Sequence, residues 1–263
     1  MSVLPVSRYL SYQLGAQVTA FSTLRTGGKS VGNYATFNVT DYCGDVLADV
    51  DSNRALLCAD LGIEQPRLVM PHQVHGDSIR VVDADFFSSP QTEALSGIDA
   101  LVTACQRCCI GVSTADCVPV LLYDPSGVVA AVHAGWRGTV ARIAEKTLRR
   151  MQRDFGTVPA NVRVCIGPSI SMDAFEVGDE VYEAFVDAGF DMEHIAGKQT
   201  AKWHIDLWEA NRLQLTDAGV NPAHIHVAGI CTYKSVDRFF SARRLGIHSG
   251  RIFSGIMLNT ESI

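Results

Sequence analysis

Two apolar runs dominate the hydrophobic pattern, Val118–Tyr123 (VPVLLY) and Val128–Val132 (VVAAV), with Asp124-Pro125-Ser126-Gly127 between them. Short continuous apolar runs bounded by turn residues predict strands buried on both faces. Pro sets φ at the second turn position and Gly suits the fourth, so the pair reads as a hairpin closed by a type I turn. Similar runs predict strands at Val18–Thr23, Arg67–Met70, Ser78–Asp83, Ala100–Thr103, Ile110–Ser113, Val162–Ile166, His226–Ile230 and Arg251–Met257. Helical spacing marks Asp51–Leu61, with Asp51 as N-cap, then Thr139–Phe155 and Asp179–Ala188. It also marks Asp206–Ala218, with Asp206 as N-cap and Gly219 at the C-terminal end. Phe86–Gly97 is polar, contains Pro90 and reads as a loop. Strands and helices alternate without a regular βαβ repeat, and no linker or internal repeat interrupts them. The pattern predicts a single α+β domain over residues 1–263, with mixed β-sheets layered with helices.

Composition adds little to the fold but narrows the partners. The 263 residues are 47% hydrophobic and 19% charged, enough for a substantial core. A net charge of −6 argues against nucleic acid or an anionic membrane as partner. The first ten residues lack the apolar run of a signal peptide, and no apolar stretch reaches transmembrane length. The eight cysteines follow no disulfide framework, so reduced thiols in the cytoplasm are expected. Cys105-Gln106-Arg107-Cys108 resembles half of a zinc knuckle, but the second half is missing nearby, and it reads as turn and core thiols.

The chemistry gathers at the ends of the hairpin. Cys117 precedes its first strand and His133 follows its second, so a thiol and an imidazole meet at one rim of a sheet. A tight turn would put them on opposite faces, because side chains alternate with period 2; a bulge, or chain ends that leave the ladder, must correct this. His75, beside Gly76, is a third ligand candidate. His72 lies three residues earlier on an extended segment and points elsewhere. The remaining histidines, at 194, 204, 224, 226 and 248, have no partner spacing and read as structural or exposed. Three ligands with an open fourth position are the layout of a catalytic zinc site. Arg137, on a Gly-flanked loop beside Trp136, has the form of an anion clamp with an aromatic neighbour. Arg25-Thr26-Gly27-Gly28 opens a Gly-rich loop that reads either as an anion cradle or as a plain turn.

Ordered segments along almost the whole chain resemble the laccase-domain family, also called multicopper polyphenol oxidase-like and associated with purine nucleoside phosphorylase activity. They include Arg25-Thr26-Gly27-Gly28, Asn38, Gln73-Val74-His75-Gly76, Ala115-Asp116-Cys117, His133-Ala134-Gly135-Trp136-Arg137-Gly138, Phe175-Glu176-Val177-Gly178 and Ser241-Ala242-Arg243-Arg244. Ala242 departs from the aromatic expected in the last segment. The resemblance implies a layered fold related to cysteine deamidase toxins and a zinc held by His75, Cys117 and His133, with copper the alternative occupant. It also implies phosphorolysis of adenosine, inosine, guanosine and 5′-methylthioadenosine, with adenosine deamination alongside. On that reading Cys117, His133, Arg137 and Asp116 are catalytic, with Asp116 orienting an imidazole, while Arg25, Asn38, Trp136 and Arg137 hold substrate and phosphate.

Three other functions compete. Cys117 with His133 as base would make a metal-free cysteine hydrolase or amidase, suited to editing cell-wall peptide precursors. A copper polyphenol oxidase normally needs many more histidine ligands than this chain groups together. A metal-stabilised binding module would have no use for an open coordination position. The chain lacks the H-x-E…P-C-x-x-C pattern of nucleobase deaminases.

Overall fold

The computed structural model describes residues 4–88, 95–198 and 201–259. Its strands are β1 (Tyr9–Tyr12), β2 (Val18–Thr23), β3 (Leu68–Val69), β4 (Ile79–Val81), β5 (Ala100–Thr103), β6 (Cys109–Thr114), β7 (Val118–Asp124) and β8 (Val128–Ala134). They continue as β9 (Arg163–Ile166), β10 (Glu176–Val177), β11 (Ala196–Lys198), β12 (Trp203–Ile205), β13 (Ile225–Val227) and β14 (Ile252–Leu258). The helices are α1 (Leu47–Leu61), α2 (Trp136–Val140), α3 (Ile143–Phe155), α4 (Asp179–Asp187), α5 (Met192–Ile195), α6 (Leu207–Asp217) and α7 (Ala242–Leu245). The architecture is mixed α+β. A five-stranded sheet runs β1-β2-β14-β6-β3, a six-stranded sheet runs β13-β9-β7-β8-β5-β4, and a small third sheet runs β10-β12-β11.

Alternation along β7 and β8 shows why their sequences are apolar throughout. Val118, Val120, Leu122, Ala130 and Val132 pack with Ile143, Leu148 and Met151 of α3 and Leu207 and Ala210 of α6. Leu121, Tyr123, Val129 and Ala131 face the other way, onto Ala20, Ile110, Val112 and Ile256 of the five-stranded sheet. That sheet buries its far side, Phe21, Cys109, Phe253 and Met257, against Leu57 and Leu61 of α1. The layers therefore run helix, sheet, sheet, helices, and the central strands are covered on both faces.

Two helices differ from the sequence reading. Asp51 lies inside α1, which begins at Leu47 with Val46 as a cap that makes no side-chain bond. Val46 and Leu47 are exposed, so the apolar period starts only at Val50, one turn into the helix. Thr139–Phe155 is two helices, broken at Arg142, which adopts φ 59°. Tertiary bonds fix the break: the Arg142 guanidinium donates to the Ala188 carbonyl at 3.1 Å and lies over the Phe190 ring. Asn211 Nδ2 and Gln214 Nε2 of α6 hold Thr139 at 3.1 and 3.0 Å. Asp206 caps α6, accepting from Glu209 N, and Gly219 follows its last turn at φ 98°. The loop expected at Phe86–Gly97 includes a 3-10 turn, Asp85–Ser88; Pro90 and the rest of 89–94 lie outside the described residues.

Candidate metal and nucleoside site

The hairpin resolves its own register problem. Asp124 pairs with Val128, leaving three residues in the loop, and Gly127 takes φ 100° after a turn closed by Gly127 N to Asp124 O at 2.9 Å. A type I turn followed by a left-handed residue adds one position to the loop and shifts the pairing by one. His133 therefore lies opposite Pro119, and Cys117, two residues before Pro119, projects from the same face as His133. Strand β8 extends to Ala134, so His133 sits within the ladder rather than beyond it.

The third member arrives on the loop after β3. His75 has φ 61°, an uncommon conformation for a residue other than Gly. The Asp99 carboxylate, fully buried just ahead of β5, imposes it. Val74, His75 and Gly76 donate their backbone N–H groups to Asp99 at 3.2, 3.0 and 2.9 Å. Three successive amides thus close around one anion. The same carboxylate accepts from His133 Nδ1 at 2.7 Å. His133 accordingly carries its proton on Nδ1 and turns Nε2 toward the cluster. The ligand atoms of His75, Cys117 and His133 all lie within 4.8 Å of one another, and theirs is the one such group among the described residues.

Charge in the cluster is displaced from ordinary values. Burial acts to raise the Cys117 thiol, but the neighbouring imidazoles, His133 foremost, outweigh it and hold the thiol down at about 6. Burial likewise acts to lower His133, yet Cys117 and Asp99 raise it to about 9. Burial also opposes ionisation of Asp99, but His133 and the backbone donors keep it below the usual carboxylate range. Both shifts run in the direction that favours a thiolate beside an imidazolium.

The residues fit a soft metal ion. Sulfur and imidazole nitrogen are the donors zinc and copper favour, and Asp99 fixes the tautomer that leaves a lone pair for an ion. Space is kept by Gly135: a Cβ there would stand 3.1 Å from His75 Cδ2 and 3.2 Å from Cys117 Sγ. His75 is exposed, so the cluster is reachable from outside.

The other expected residues are placed variously. Asp116 orients neither imidazole; that post belongs to Asp99, which nothing in its sequence spacing marked. Asp116, at φ 92°, accepts from Thr232 Oγ1 and Arg243 N, both at 2.7 Å, tying a loop and the first turn of α7 to the residue before Cys117. Asn38 is fully buried, with its amide engaged by Thr40, Asp45 and Arg251, so it holds a loop. Arg25 donates to the carbonyls of Ala35 and Val236 and lies over Phe240, which orders the same loop region. The Gly-rich loop is not an open anion cradle, because Gly28 N, Lys29 N and Ser30 N are bonded to Thr36 and Asn53. Arg137 remains available: it is exposed, stacks on Trp136 at 4.3 Å, and has no ion-pair partner among the described residues. Trp136 is half-buried against the core between sheet and helices, with Arg137 on its ring. Cys105 and Cys108 join no metal-ligating group among the described residues; Cys105 points at the Val82 carbonyl and Cys108 is buried.

The fold and the cluster define a class: a layered α+β protein whose sheet rim carries a His–Cys–His set that opens to solvent at His75. The chain belongs to the multi-copper polyphenol oxidoreductase laccase family, whose sequence model matches residues 19–259. It is 51% identical over 257 residues to a purine nucleoside phosphorylase of Bacteroides thetaiotaomicron, covering 95% of each chain. It is 46% identical over 245 residues to adenosine deaminase RL5 from an unknown prokaryotic organism, covering 91% of this chain and 93% of that one. The crystal structure of YlmD from Geobacillus stearothermophilus superposes with a TM-score of 0.90 at 32% identity, over 98% of both chains. The relatives' names support an enzyme of this family. No helix is long and apolar enough to cross a membrane among the described residues.

Proposed function

We propose that this protein is a zinc-dependent purine nucleoside phosphorylase acting on adenosine, inosine, guanosine and 5′-methylthioadenosine, with adenosine deamination as a side activity. The observation that carries the reading is the convergence of His75, Cys117 and His133 around a space that Gly135 keeps open. These three residues would hold the ion; its contribution is Lewis acidity toward a group gaining negative charge. Phosphorolysis joins a phosphate oxygen to C1′ of the ribose as the glycosidic bond breaks and its electron pair passes to the purine. Arg137, free of any acidic partner among the described residues, is assigned to phosphate, where a guanidinium matches two oxygens at once. Trp136 supports the guanidinium from below. Asp99 fixes the orientation and protonation of His133, and Asp116 ties Thr232 and the start of α7 beside Cys117.

A second reading draws on the same geometry. Cys117, His133 and Asp99 form the sequence of contacts of a nucleophile, its base and the base's orienting acid. A cysteine hydrolase of that kind needs no second imidazole, whereas His75 completes a ligand set, which favours the metal. A copper oxidase ranks last, because the described residues group three ligands and no more. Incubation with adenosine and phosphate tests the proposal. It should release adenine, and ribose 1-phosphate in an amount equal to the total free purine base, and Arg137→Ala should raise KM for phosphate with little loss of stability. Base release at a rate independent of phosphate would reject phosphorolysis.

A further inference from the structure

We propose that Gln73 is a positioning residue of the metal site, setting the distance of His75 from Cys117 and His133. The proposal rests on the reading that these three residues share one ion. Gln73 is 8% exposed, and its side-chain amide pairs with both backbone groups of one residue on β6. Nε2 donates to the Ser113 carbonyl at 2.8 Å, and Ser113 N donates to Oε1 at 2.7 Å. This is the bond pattern of a strand neighbour, made by a side chain.

The backbone explains why a side chain is needed. Strand β3 pairs with β6 only at Leu68–Cys109 and Val69–Ile110. Pro71 then removes a donor and turns the chain out of the ladder, while β6 continues to Thr114. Ser113 would be left with an unpaired N–H and C=O in a buried strand, which is unfavourable because both groups lose water without gaining a partner. The Gln73 amide fills that gap, and in doing so pins the loop that carries His75.

His75 is consequently tethered at two points on two sheets. Asp99, at the start of β5 in the six-stranded sheet, takes the amides of residues 74–76. Gln73 ties the same loop to β6 in the five-stranded sheet. The tethers differ in reach. Asp99 also holds His133, so losing it disturbs two ligands at once. Gln73 bonds to neither Cys117 nor His133 in any contact described above, and its shortest route to the ligand set is the two-residue step to His75. Tyr42 Oη, 3.5 Å from Gln73 Oε1, backs the amide on its outer side.

A double-mutant cycle on zinc affinity, read by chelator competition with the full chain, tests this. Gln73→Met removes both bonds at nearly constant shape; Gln73→Glu keeps the acceptor but sets a second oxygen against the Ser113 carbonyl. Each should weaken zinc binding about 10- to 100-fold, the range for residues that orient ligands. In a His75→Ala background the same substitutions should change the remaining affinity less than about threefold, because the route through His75 is gone. An equal loss with and without His75 would mark Gln73 as a general structural residue and overturn the proposal, as would unchanged affinity in folded Gln73→Met. Circular dichroism of the metal-free variants separates a folding defect from a site defect; if Gln73→Met fails to fold, Gln73→Glu carries the cycle. Wild-type protein that binds no zinc would instead reject the metal reading itself, and the positioning role with it.

Discussion

Replacing Asp99 with Asn changes one atom in the residue that joins two ligands of the site. The Asp99 Oδ1 atom accepts from His75 N and His133 Nδ1, while Oδ2 accepts from Val74 N and Gly76 N. An Asn amide keeps one oxygen, and its NH2 must face one of these two pairs of donors. Facing the amides of 74 and 76, it loses two bonds. Facing His133, it loses the His75 bond and forces the imidazole into the other tautomer, with a proton on the nitrogen that should bind metal. Bonds to a charged acceptor are worth about 1.5–3 kcal/mol each, so losing two predicts a destabilisation of roughly 3–6 kcal/mol. Urea unfolding of the metal-free variant reads the stability term. Chelator competition reads the site term, expected at about 10- to 100-fold weaker zinc binding. A stability loss below about 1 kcal/mol together with affinity within threefold of wild type would refute the argument that one carboxylate organises both histidines.

Other consequences follow from the geometry. Gly135→Ala places a Cβ 3.1–3.2 Å from His75 and Cys117, so metal affinity should fall while the unfolding midpoint moves little. Deleting Ser126 shortens the hairpin loop by one residue, should return Cys117 and His133 to opposite faces, and should abolish metal binding measured by elemental analysis. In the metal-free protein Cys117 should alkylate with a midpoint near pH 6, and His133→Asn should move that midpoint up toward the ordinary thiol value of 9. The sign is that of a depressed acid: the stability the thiolate adds is complete above the ordinary thiol value of 9, shrinks as pH falls below it and is lost through the midpoint near 6. Bound zinc should protect Cys117 from the same reagent.

The sequence pattern made most of the sheet legible. Ala100–Thr103 and Val18–Thr23 match β5 and β2 to the residue, because runs of apolar, β-branched and aromatic residues mark strands. The meeting of Cys117 and His133 at one rim was readable from the hairpin, but their shared face was not. That depended on whether Gly127 closes the turn or adds a bulge, a choice of one residue that inverts every side chain. Asp99 went unseen because its partners lie 23 to 34 residues away, and nothing in Ile98-Asp99-Ala100 distinguishes a buried acceptor from a strand-end charge. A lone acid directly before a fully apolar strand is the signal that was there to use. Arg25 and Asn38 show how motif residues also serve the fold: their side chains bond to backbone groups of the surrounding loops, a use the sequence did not announce.

The most direct test of the account is a zinc titration of metal-free protein with adenosine phosphorolysis as the readout. The account predicts negligible turnover in chelator and activity that rises linearly to a plateau at one zinc per chain, and Cys117→Ser should lose zinc and activity together. Full phosphorolysis in chelator, or a covalent adduct trapped on Cys117 during turnover, would contradict it and place the chemistry on the thiolate instead.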